Sequence, residues 1–487
     1  MKRELIIGKY TLESLTNGMY ASPLDMYREY VQNAVDSLDE AATYNVISPD
    51  KLFIDITIDA ENHDIKIRDN GVGIPAEYAP ETLLDIGNSQ KNRMTSRGFR
   101  GIGRLAGLSY CDKLIFKTSI MGEETASIIE FDAQVLKELL TSGSNDAMSV
   151  ADVIEKIVTV RTEKETINRR YFEVHLEGAW SDAGLIDPET VETYLIQHAP
   201  LHFSERFKWG RTVFEKMRLA GYMIPQYRIT LNGKELYKPY EDTFVSDRVK
   251  KIEDLIRDVK IEKFYREDKL SAILWYAETN FFGTIIDNKI KGLRIRQGNI
   301  LIGDKSSCNS LFKEERFNGW LIGELHILDP EIIINARRDG FEKNSAYFKI
   351  LSKLKDWAFE ISKEIRHISY ERSLTGTKKA IVEAEHIEDI ADENELYSED
   401  LAYAEDYSES TSLGQGESDD LAETDFISKL GMLLSQKKAQ TKYAALNINT
   451  RLTGEQRKVL ERVFDLIMQE YDLETAEKFV NTISSKF

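Results

Sequence analysis

The sequence predicts an α+β protein, and three observations support this prediction. Residues 24–43 repeat apolar side chains at three- and four-residue spacing, which is the periodicity of a helix. Residues 52–58 and 65–68 alternate apolar and polar side chains, which is the periodicity of a strand that is buried on one face. After Lys379 the composition becomes strongly acidic, so a linker is expected to separate this body from the end of the chain.

Further elements follow in chain order. Strand patterns are present at residues 113–119, 126–131, 157–161, 171–176, 270–279, 291–302 and 320–327, and a helix is predicted over residues 344–372. A second unit is expected to begin near residue 225, because Asn232-Gly233 is a strong signal for a type I′ hairpin. Beyond the acidic segment, residues 453–456 resemble a capping box that opens a last helix.

The length and charge limit the possible functions. The 487 residues allow two to four domains, and a formal charge of −19 argues against a general affinity for the nucleic-acid backbone. Residues 383–425, however, contain seventeen Asp or Glu and no Lys or Arg, and removing these acids from −19 leaves −2 for the rest of the chain. The charge therefore describes mainly the expected linker, which we interpret as a plain tether.

The cellular location is inferred from cysteine content and hydropathy. Two cysteines, Cys111 and Cys308, exclude a disulfide scaffold and a cysteine-rich zinc site, and they are typical of a reducing cytosol. No signal-peptide core follows Met1, and no apolar run approaches the roughly 18 residues of a membrane-spanning helix. We therefore expect a cytoplasmic protein without a membrane partner.

The first chemical motif lies at residues 28–36 on the predicted helix. Glu29 and Asn33 are four residues apart, so their side chains emerge on one face of the helix. Asn33 could give its amide oxygen to a magnesium ion whose other ligands are phosphates and waters. Glu29 could deprotonate a water that attacks a γ-phosphate. Alternatively, these residues form an exposed polar stripe on a surface helix.

The second motif, residues 68–75, follows directly after a strand. Asp69 is an acceptor-only group that could bind an exocyclic amine such as adenine N6. Gly71 and Gly73 would let the backbone approach the base, because neither has a Cβ atom. The alternative interpretation is an ordinary turn.

The third motif, residues 98–107, is rich in glycine and precedes a short helical stretch. Backbone N–H groups at Gly98, Gly101, Ile102 and Gly103 could hold phosphate there. The preceding residues are polar and basic, include Lys91, and are typical of a mobile lid over phosphates. The alternative is a solvated loop.

Together, and in this order, the three motifs resemble the N-box, the DNGxG box and the glycine lid box of the GHKL ATPase superfamily. This superfamily includes DNA gyrase, the 90-kDa heat-shock chaperones, histidine kinases and MutL-type repair proteins. The resemblance implies ATP and Mg²⁺ as cofactors, Glu29 as general base, Asn33 as the magnesium ligand and Asp69 as the adenine-reading acid. Asp36 is then the further acid of the N-box, and Lys91 and the lid glycines contact phosphate.

One feature departs from the family pattern. Family members usually place a Gly-Thr pair on a late strand, where the Thr supports the adenine-reading Asp. The candidate strand, residues 170–176, has no such pair, so the support of Asp69 is left unassigned.

The branch of the superfamily is inferred from two regions. Glu29 is present and no phosphoacceptor helix fits ahead of it, so hydrolysis is favoured over phosphotransfer. Residues 292–342 are similar to the middle domain of the heat-shock chaperones, where an Asn-x-x-Arg-Glu stretch delivers a catalytic Arg to the γ-phosphate. That match implies Arg338 as the catalytic residue, with Arg337 as the alternative. A surface Arg pair bonded to Asp339 and Glu342 is the other interpretation.

The resemblance also implies an architecture and an activity. An N-terminal two-layer α/β sandwich of the Bergerat fold would occupy residues 1–215, followed by a βαβ-type middle, transducer-like domain over residues 216–380. An acidic disordered linker (381–425) and a C-terminal helical segment (426–487) would complete the chain. The expected function is that of an ATP-hydrolysing, chaperone-like clamp that forms a homodimer through its N-terminal domains and acts on a protein client. The alternatives are a nucleic-acid-associated clamp, such as a repair or phage-defence component of a MORC-like branch, and a non-hydrolysing ATP-dependent scaffold.

Overall fold

The computed structural model describes residues 8–16, 20, 22–86, 103–141, 148–182, 184–247 and 249–388, without the side chains of 15–16 and 373–388. Nearly all of them belong to one compact unit, Met1–Ile387. None of the helices in these ranges combines the length and apolar character that a membrane span requires. The predicted α+β class is confirmed, because the unit contains two large sheets and eight α-helices within the described ranges.

The first sheet has eight strands in the order β5-β4-β3-β6-β2-β1-β7-β8. They are β1 Phe53–Asp59, β2 Asp64–Asp69, β3 Lys113–Ser119, β4 Thr125–Asp132, β5 Val158–Lys164, β6 Tyr171–Glu177, β7 Arg228–Leu231 and β8 Lys234–Glu235. All neighbours are antiparallel except β1 and β7, which run parallel. Strand β1 alternates buried and more exposed side chains, so one face of the sheet is covered.

Helices cover that buried face. They are α1 Tyr10–Thr16, α2 Asp25–Thr43, α3 Ala79–Leu84, α4 Ala133–Thr141, α5 Val150–Ile157 and α6 Pro188–His198. Val31, Val35 and Leu38 of α2 share one hydrophobic core with Ile54 and Ile56 of β1. The result is a two-layer α/β arrangement in which α2 lies against the sheet.

The Asn232-Gly233 hairpin forms as predicted, but it belongs to the first sheet rather than to a second unit. Asn232 and Gly233 have φ angles of 48° and 77°, as a type I′ turn requires. Strand β7 pairs in parallel with β1, and Asn232 Oδ1 accepts a hydrogen bond of 2.7 Å from the backbone N–H of Ile58. The turn chemistry is local, whereas the choice of sheet depends on this long-range pairing.

The second sheet has five strands in the order β11-β12-β15-β13-β14. They are β11 Asp258–Arg266, β12 Lys269–Glu278, β13 Gly292–Gln297, β14 Ile300–Ile302 and β15 Ile322–Ile327, and β9 Thr243–Ser246 pairs separately with β10 Ile252–Leu255. Strands β13 and β15 are parallel, and their connection contains two 3₁₀ helices, Asn309–Leu311 and Glu315–Trp320, instead of the α-helix of a βαβ unit.

Two helices, α7 Trp209–Leu219 and α8 Ser345–Glu388, pack on opposite faces of the second sheet. Leu274 of β12 shares a core with α8, whereas Ile273 and Trp275 share a different core with α7. Because both faces are buried, β12 is an almost continuous apolar run.

Helix α8 continues to Glu388 instead of ending near Arg372, so it includes the first acidic residues of the segment predicted as a linker. Ala, Glu and Lys in this stretch are strong helix formers, which favours the extension. Strands β9 to β11 and helices α1, α3 and α4 to α7 were not predicted from the sequence.

Candidate functional site

Glu29 lies on α2 and is only 6% exposed. Its Oε1 atom is 2.8 Å from Nε of Arg338, which is contributed by the loop between β15 and α8. A buried carboxylate needs a partner of opposite charge, because desolvation of an isolated charge is costly. The fold thus joins two residues that are more than 300 positions apart in the sequence.

The loop that carries Arg338 has an unusual backbone. Arg338 has a φ angle of +58°, a left-handed conformation that costs a non-glycine residue on the order of 1 kcal/mol or more. Its carbonyl accepts a hydrogen bond of 3.0 Å from the N–H of Gly303, and its own N–H donates to the carbonyl of Asn335 at 3.3 Å. These bonds hold the strained residue in place.

The neighbours of Arg338 have other contacts. Asp339 accepts a hydrogen bond from the amide of Asn335, and the carbonyl of Arg337 accepts a bond of 3.4 Å from the guanidinium of Arg28. The Arg337 residue is exposed, whereas the Arg338 side chain is only 11% exposed. Arg338, not Arg337, therefore reaches the buried carboxylate.

Arg28 and Asp25 extend this buried cluster. Arg28 is 3.7 Å from Glu29 and 3.4 Å from Asp25, and Asp25 also accepts a hydrogen bond of 2.9 Å from the Tyr194 hydroxyl of α6. Two guanidinium groups thus face two carboxylates. Within the described residues, both amide atoms of Gln32 lack a hydrogen-bond partner, and Glu29 Oε1 has its ion pairs with Arg338 and Arg28.

Asn33 and Asp36 follow Glu29 on α2, and both are half-buried. Among the described residues, no group of three or more His, Cys, Asp or Glu converges as a metal site. The amide oxygen of Asn33 is a donor that Mg²⁺ accepts when phosphate and water fill its other positions.

Asp69 ends β2 and is 2% exposed. Its Oδ1 atom accepts hydrogen bonds from the Ser37 hydroxyl at 3.0 Å and from the Gly71 N–H at 2.8 Å. Ser37 also accepts a bond of 3.1 Å from the N–H of Val72. A Cβ atom on Gly71 would lie 2.1 Å from the Ser37 hydroxyl, so only glycine allows this approach. The Ser37 hydroxyl is thus a side-chain partner of Asp69, whose support the sequence left unassigned.

Gly73 and its neighbours are fastened to the sheet. Gly73 has a φ angle of +68°, and a Cβ atom there would lie 2.3 Å from the carbonyl oxygen of Ser119. The N–H of Ile74 donates to the Thr118 hydroxyl at 2.8 Å, and this hydroxyl donates to the carbonyl of Tyr171. The loop after Asp69 is therefore held against β3 and β6.

Gly103 begins a 3₁₀ helix, Gly103–Leu105, beside Glu29. A Cβ atom on Gly103 would lie 2.4 Å from Glu29 Oε2, so the absence of a side chain is what permits this contact. The Tyr30 hydroxyl accepts a hydrogen bond of 2.7 Å from the N–H of Gly107 and donates to the carbonyl of Arg104. The other proposed phosphate-binding residues, Lys91, Gly98, Gly101 and Ile102, lie outside the described residues.

The structure arranges the sequence-predicted residues in two groups. Glu29, Gly103 and Arg338 meet near the start of α2, and Asp69 and Gly71 meet Ser37 further along the same helix. Eight residues separate Glu29 from Ser37, which is about 12 Å along a helix axis.

Sequence reasoning assigned no role to Ser37, Thr118, Arg28 and Tyr194. For Ser37 a signal was available, because it lies one turn after Asn33 on the same face of α2. The contact between Tyr194 and Asp25 had no signal in the sequence, since it joins two separate helices.

Comparison with known proteins gives matches to the first part of the chain. Residues 26–157 match the family model of the histidine kinase-, DNA gyrase B-, and HSP90-like ATPase. The chaperone protein HtpG of Rickettsia akari (strain Hartford) is 25% identical over 195 residues, which cover 36% of this chain and 30% of the relative.

Two further HtpG chaperones align over shorter stretches. That of Halalkalibacterium halodurans is 26% identical over 135 residues, covering 24% of this chain and 21% of the relative. That of Acinetobacter baylyi is 26% identical over 129 residues, covering 23% and 20%. The aligned part of the chain thus spans less than a third of the length of these relatives.

Proposed function

We propose that this chain, whose residues 26–157 form a GHKL-type ATPase domain similar to that of the Hsp90-like HtpG chaperones, is an ATP-hydrolysing, Mg²⁺-dependent, chaperone-like conformational clamp. The observation that carries the proposal is the contact of 2.8 Å between Glu29 of the first sheet's helical layer and Arg338 of the loop beside the second sheet. This contact supports the proposal, because it joins the two side chains to which we assign the roles of base and arginine finger.

The nucleotide would lie along α2. Asp69, supported by Ser37, would accept a hydrogen bond from adenine N6, while Gly71 and Gly73 let the backbone approach the base. Lys91 and the backbone at Gly98, Gly101, Ile102 and Gly103 would bind phosphate. Asn33 would hold the magnesium ion, which when bound neutralises charge on the phosphates.

Hydrolysis would use Glu29 and Arg338 in different roles. The oxygen of a water attacks the γ-phosphorus, the bond from phosphorus to the β,γ-bridging oxygen breaks, and Glu29 accepts the proton of the water. Arg338 would stabilise the negative charge on the transferred phosphoryl group. In the present geometry Arg338 pairs with Glu29, so the γ-phosphate would compete for the guanidinium and release Glu29 as the base.

This exchange of partners would couple the binding of ATP to a conformational change. Glu29 and Arg338 belong to different layers of the compact unit, so a change of partner for Arg338 would move the second sheet relative to α2. By analogy with the HtpG relatives, we propose that two copies associate through their N-terminal domains and that the motion acts on a protein client in the cytoplasm.

Substitution of the two residues tests the proposal. Glu29→Gln and Arg338→Ala should each lower kcat by about a hundredfold or more, which is the usual contribution of a general base or an arginine finger. Binding of ATP, measured by calorimetry, should be retained. Arg337→Ala is the matched control and should keep the wild-type rate. Wild-type turnover in Glu29→Gln would contradict the assignment of the base.

Measurements of ATP turnover and of DNA binding separate the two alternative functions. A wild-type chain that binds ATP without turnover would be the non-hydrolysing scaffold. DNA binding that appears only with a slowly hydrolysed ATP analogue, and weakens with salt, would indicate the nucleic-acid clamp instead.

A further inference from the structure

A buried ionic network lies where the second sheet meets the first. The side chains of Lys238, Arg296 and Glu324 are at most 1% exposed. Lys238 Nζ donates to both Glu324 oxygens at 2.7 and 2.6 Å, and Arg296 Nε is 2.5 Å from Glu324 Oε1. Burial opposes ionisation of Glu324, yet Arg296 and Lys238 outweigh it and hold its pKa well below the usual range.

Such a network is expensive as a source of stability. Charges that are removed from water often contribute no more than a well-packed apolar core of the same volume would contribute. Two cations around one carboxylate are especially unfavourable in a low-dielectric interior. The residues to which the network is hydrogen-bonded therefore indicate its role.

Arg296 connects the network to helix α6, which packs against the first sheet. Its NH2 group donates to the carbonyl of Gln197, in the last turn of α6, at 2.8 Å. Its NH1 group donates to the carbonyl of Asn299, in the turn between β13 and β14, at 2.9 Å. Lys238 donates to the side chain of the same Asn299 at 2.8 Å. The β13–β14 hairpin is thus fixed to α6.

The hairpin also holds the loop of Arg338. Gly303 follows β14 directly, and its N–H donates to the carbonyl of Arg338 at 3.0 Å. On the other side, Tyr194 of α6 donates to Asp25 of α2, the helix that carries Glu29. The contacts form a closed ring that runs from Glu29 through α6, Arg296 and the hairpin to Arg338, and from Arg338 back to Glu29.

We propose that Arg296 is a positioning residue for the hydrolysis reaction: it fixes the β13–β14 hairpin to α6 and thereby sets the position of Arg338 relative to Glu29. The inference rests on the proposed function. Arg296 bonds to Gln197, Asn299 and Glu324, not to Glu29 or Arg338, so its effect passes through Gly303 and Arg338.

Arg294 provides a matched control on the same face of β13. It is 2% exposed, and its guanidinium donates to the carbonyls of Asn288, Lys289 and Lys291, all in the loop before its own strand. Removing Arg294 therefore removes a buried arginine of equal size without breaking the ring of contacts.

The experiment compares Arg296→Met, Arg296→Lys and Arg294→Met in the full chain. In Arg296→Met, Glu324 keeps Lys238 as its partner, so no buried charge is left unpaired. Arg296→Lys keeps the charge but loses the two-pronged contact with the carbonyls of Gln197 and Asn299, and it serves as the second variant if Arg296→Met does not fold.

Both Arg296 variants should lower kcat by about tenfold to hundredfold with KM for ATP unchanged, because a displacement of about 1 Å can cost this much. Arg294→Met should keep kcat. Arg296→Met combined with Arg338→Ala should be no slower than Arg338→Ala alone, since both changes act on one group. Equal losses in Arg294→Met and Arg296→Met, or additive losses in the double variant, would overturn the inference.

A distance measurement separates this inference from the proposed function. Spin labels at Glu40→Cys on α2 and Lys343→Cys after the Arg338 loop lie on exposed residues, whereas Cys111 and Cys308 are buried. Arg296→Met should broaden the distance distribution and Arg294→Met should not. Broadening in a chain without ATP turnover would support the positioning of Arg338 by Arg296 and reject the proposed function. If the wild type hydrolyses ATP but Arg296→Met changes neither the distance distribution nor kcat, the proposed function would stand and the inference would be wrong.

Discussion

Single residues without a proposed chemical role hold the candidate site together. The Ser37 hydroxyl of α2 donates a hydrogen bond to Asp69, whose support the sequence left unassigned. It also accepts a hydrogen bond from the N–H of Val72, so one hydroxyl fixes both the acid and the loop after it. The proposed base-binding end of the site therefore depends on the contact between α2 and β2.

Ser37→Ala should weaken ATP binding by about tenfold, because removing one partner of a buried hydrogen bond costs about 1–3 kcal/mol. The rate at saturating ATP should change little, since Ser37 is remote from Glu29. Calorimetric titration with ATP measures the first effect and steady-state turnover the second. Ser48→Ala, at a surface turn, is the control. Wild-type affinity in Ser37→Ala would show that Asp69 needs no such support.

Gly103→Ala should reduce turnover more than it reduces ATP binding. A Cβ atom at this position would lie 2.4 Å from Glu29 Oε2, so the carboxylate must move. We expect a loss in kcat of about tenfold or more, as for other displaced catalytic groups. Gly8→Ala has no atom within 4 Å of the new Cβ and should behave as wild type. Equal rates in the two variants would contradict the proposed place of Glu29 in the reaction.

At the scale of elements, strand β15 places ionisable groups in the interior. All six of its residues are buried, including Glu324 and His326. Burial, together with the positive charge of Lys238 and Arg296, outweighs the attraction of Glu324 and lowers the pKa of His326 to about 4. The His326 imidazole is therefore neutral in the folded protein at neutral pH.

This shift predicts acid lability. An unfolded histidine titrates near 6.5, so between pH 6.5 and about 4 the unfolded chain binds the extra proton. The His326 contribution is complete above pH 6.5 and is lost as pH falls, at up to about 1.4 kcal/mol per pH unit. We expect the free energy of unfolding, measured with denaturant across this pH range, to change less steeply with pH in His326→Gln than in the wild type. An identical slope in the wild type and in His326→Gln would contradict the assignment.

At the scale of the whole molecule, the formal charge of −19 is concentrated in one segment. Fourteen of the seventeen acids of residues 383–425 lie after Glu388, where α8 ends. Without these fourteen acids the formal charge would be −5 instead of −19, so most of the negative charge lies outside the compact unit.

Deleting residues 389–425, which leaves α8 intact, should not change DNA affinity if the segment is a plain tether. Fluorescence anisotropy at low salt is the measurement, because electrostatic binding is strongest there. Tighter DNA binding by the shortened chain would show instead that the acidic segment competes with nucleic acid for a basic surface.

The sequence by itself determined the helix that carries Glu29 and Asn33, the strand that ends at Asp69, and the hairpin at Asn232-Gly233. These features follow from periodicity and turn chemistry over a few neighbouring residues. The resemblance to a family of ATPases added roles for these residues and pointed to Arg338.

Only the tertiary structure decided which of these residues meet. In the folded chain Arg338 contacts Glu29, and Ser37 donates a hydrogen bond to Asp69. The β7–β8 hairpin pairs with the first sheet, and charged side chains surround Glu324 in the interior. Periodicity reports which face of an element is buried but not which other element covers it. Contacts between residues far apart in the chain follow from the packing of whole layers, and a local pattern carries no information about that packing.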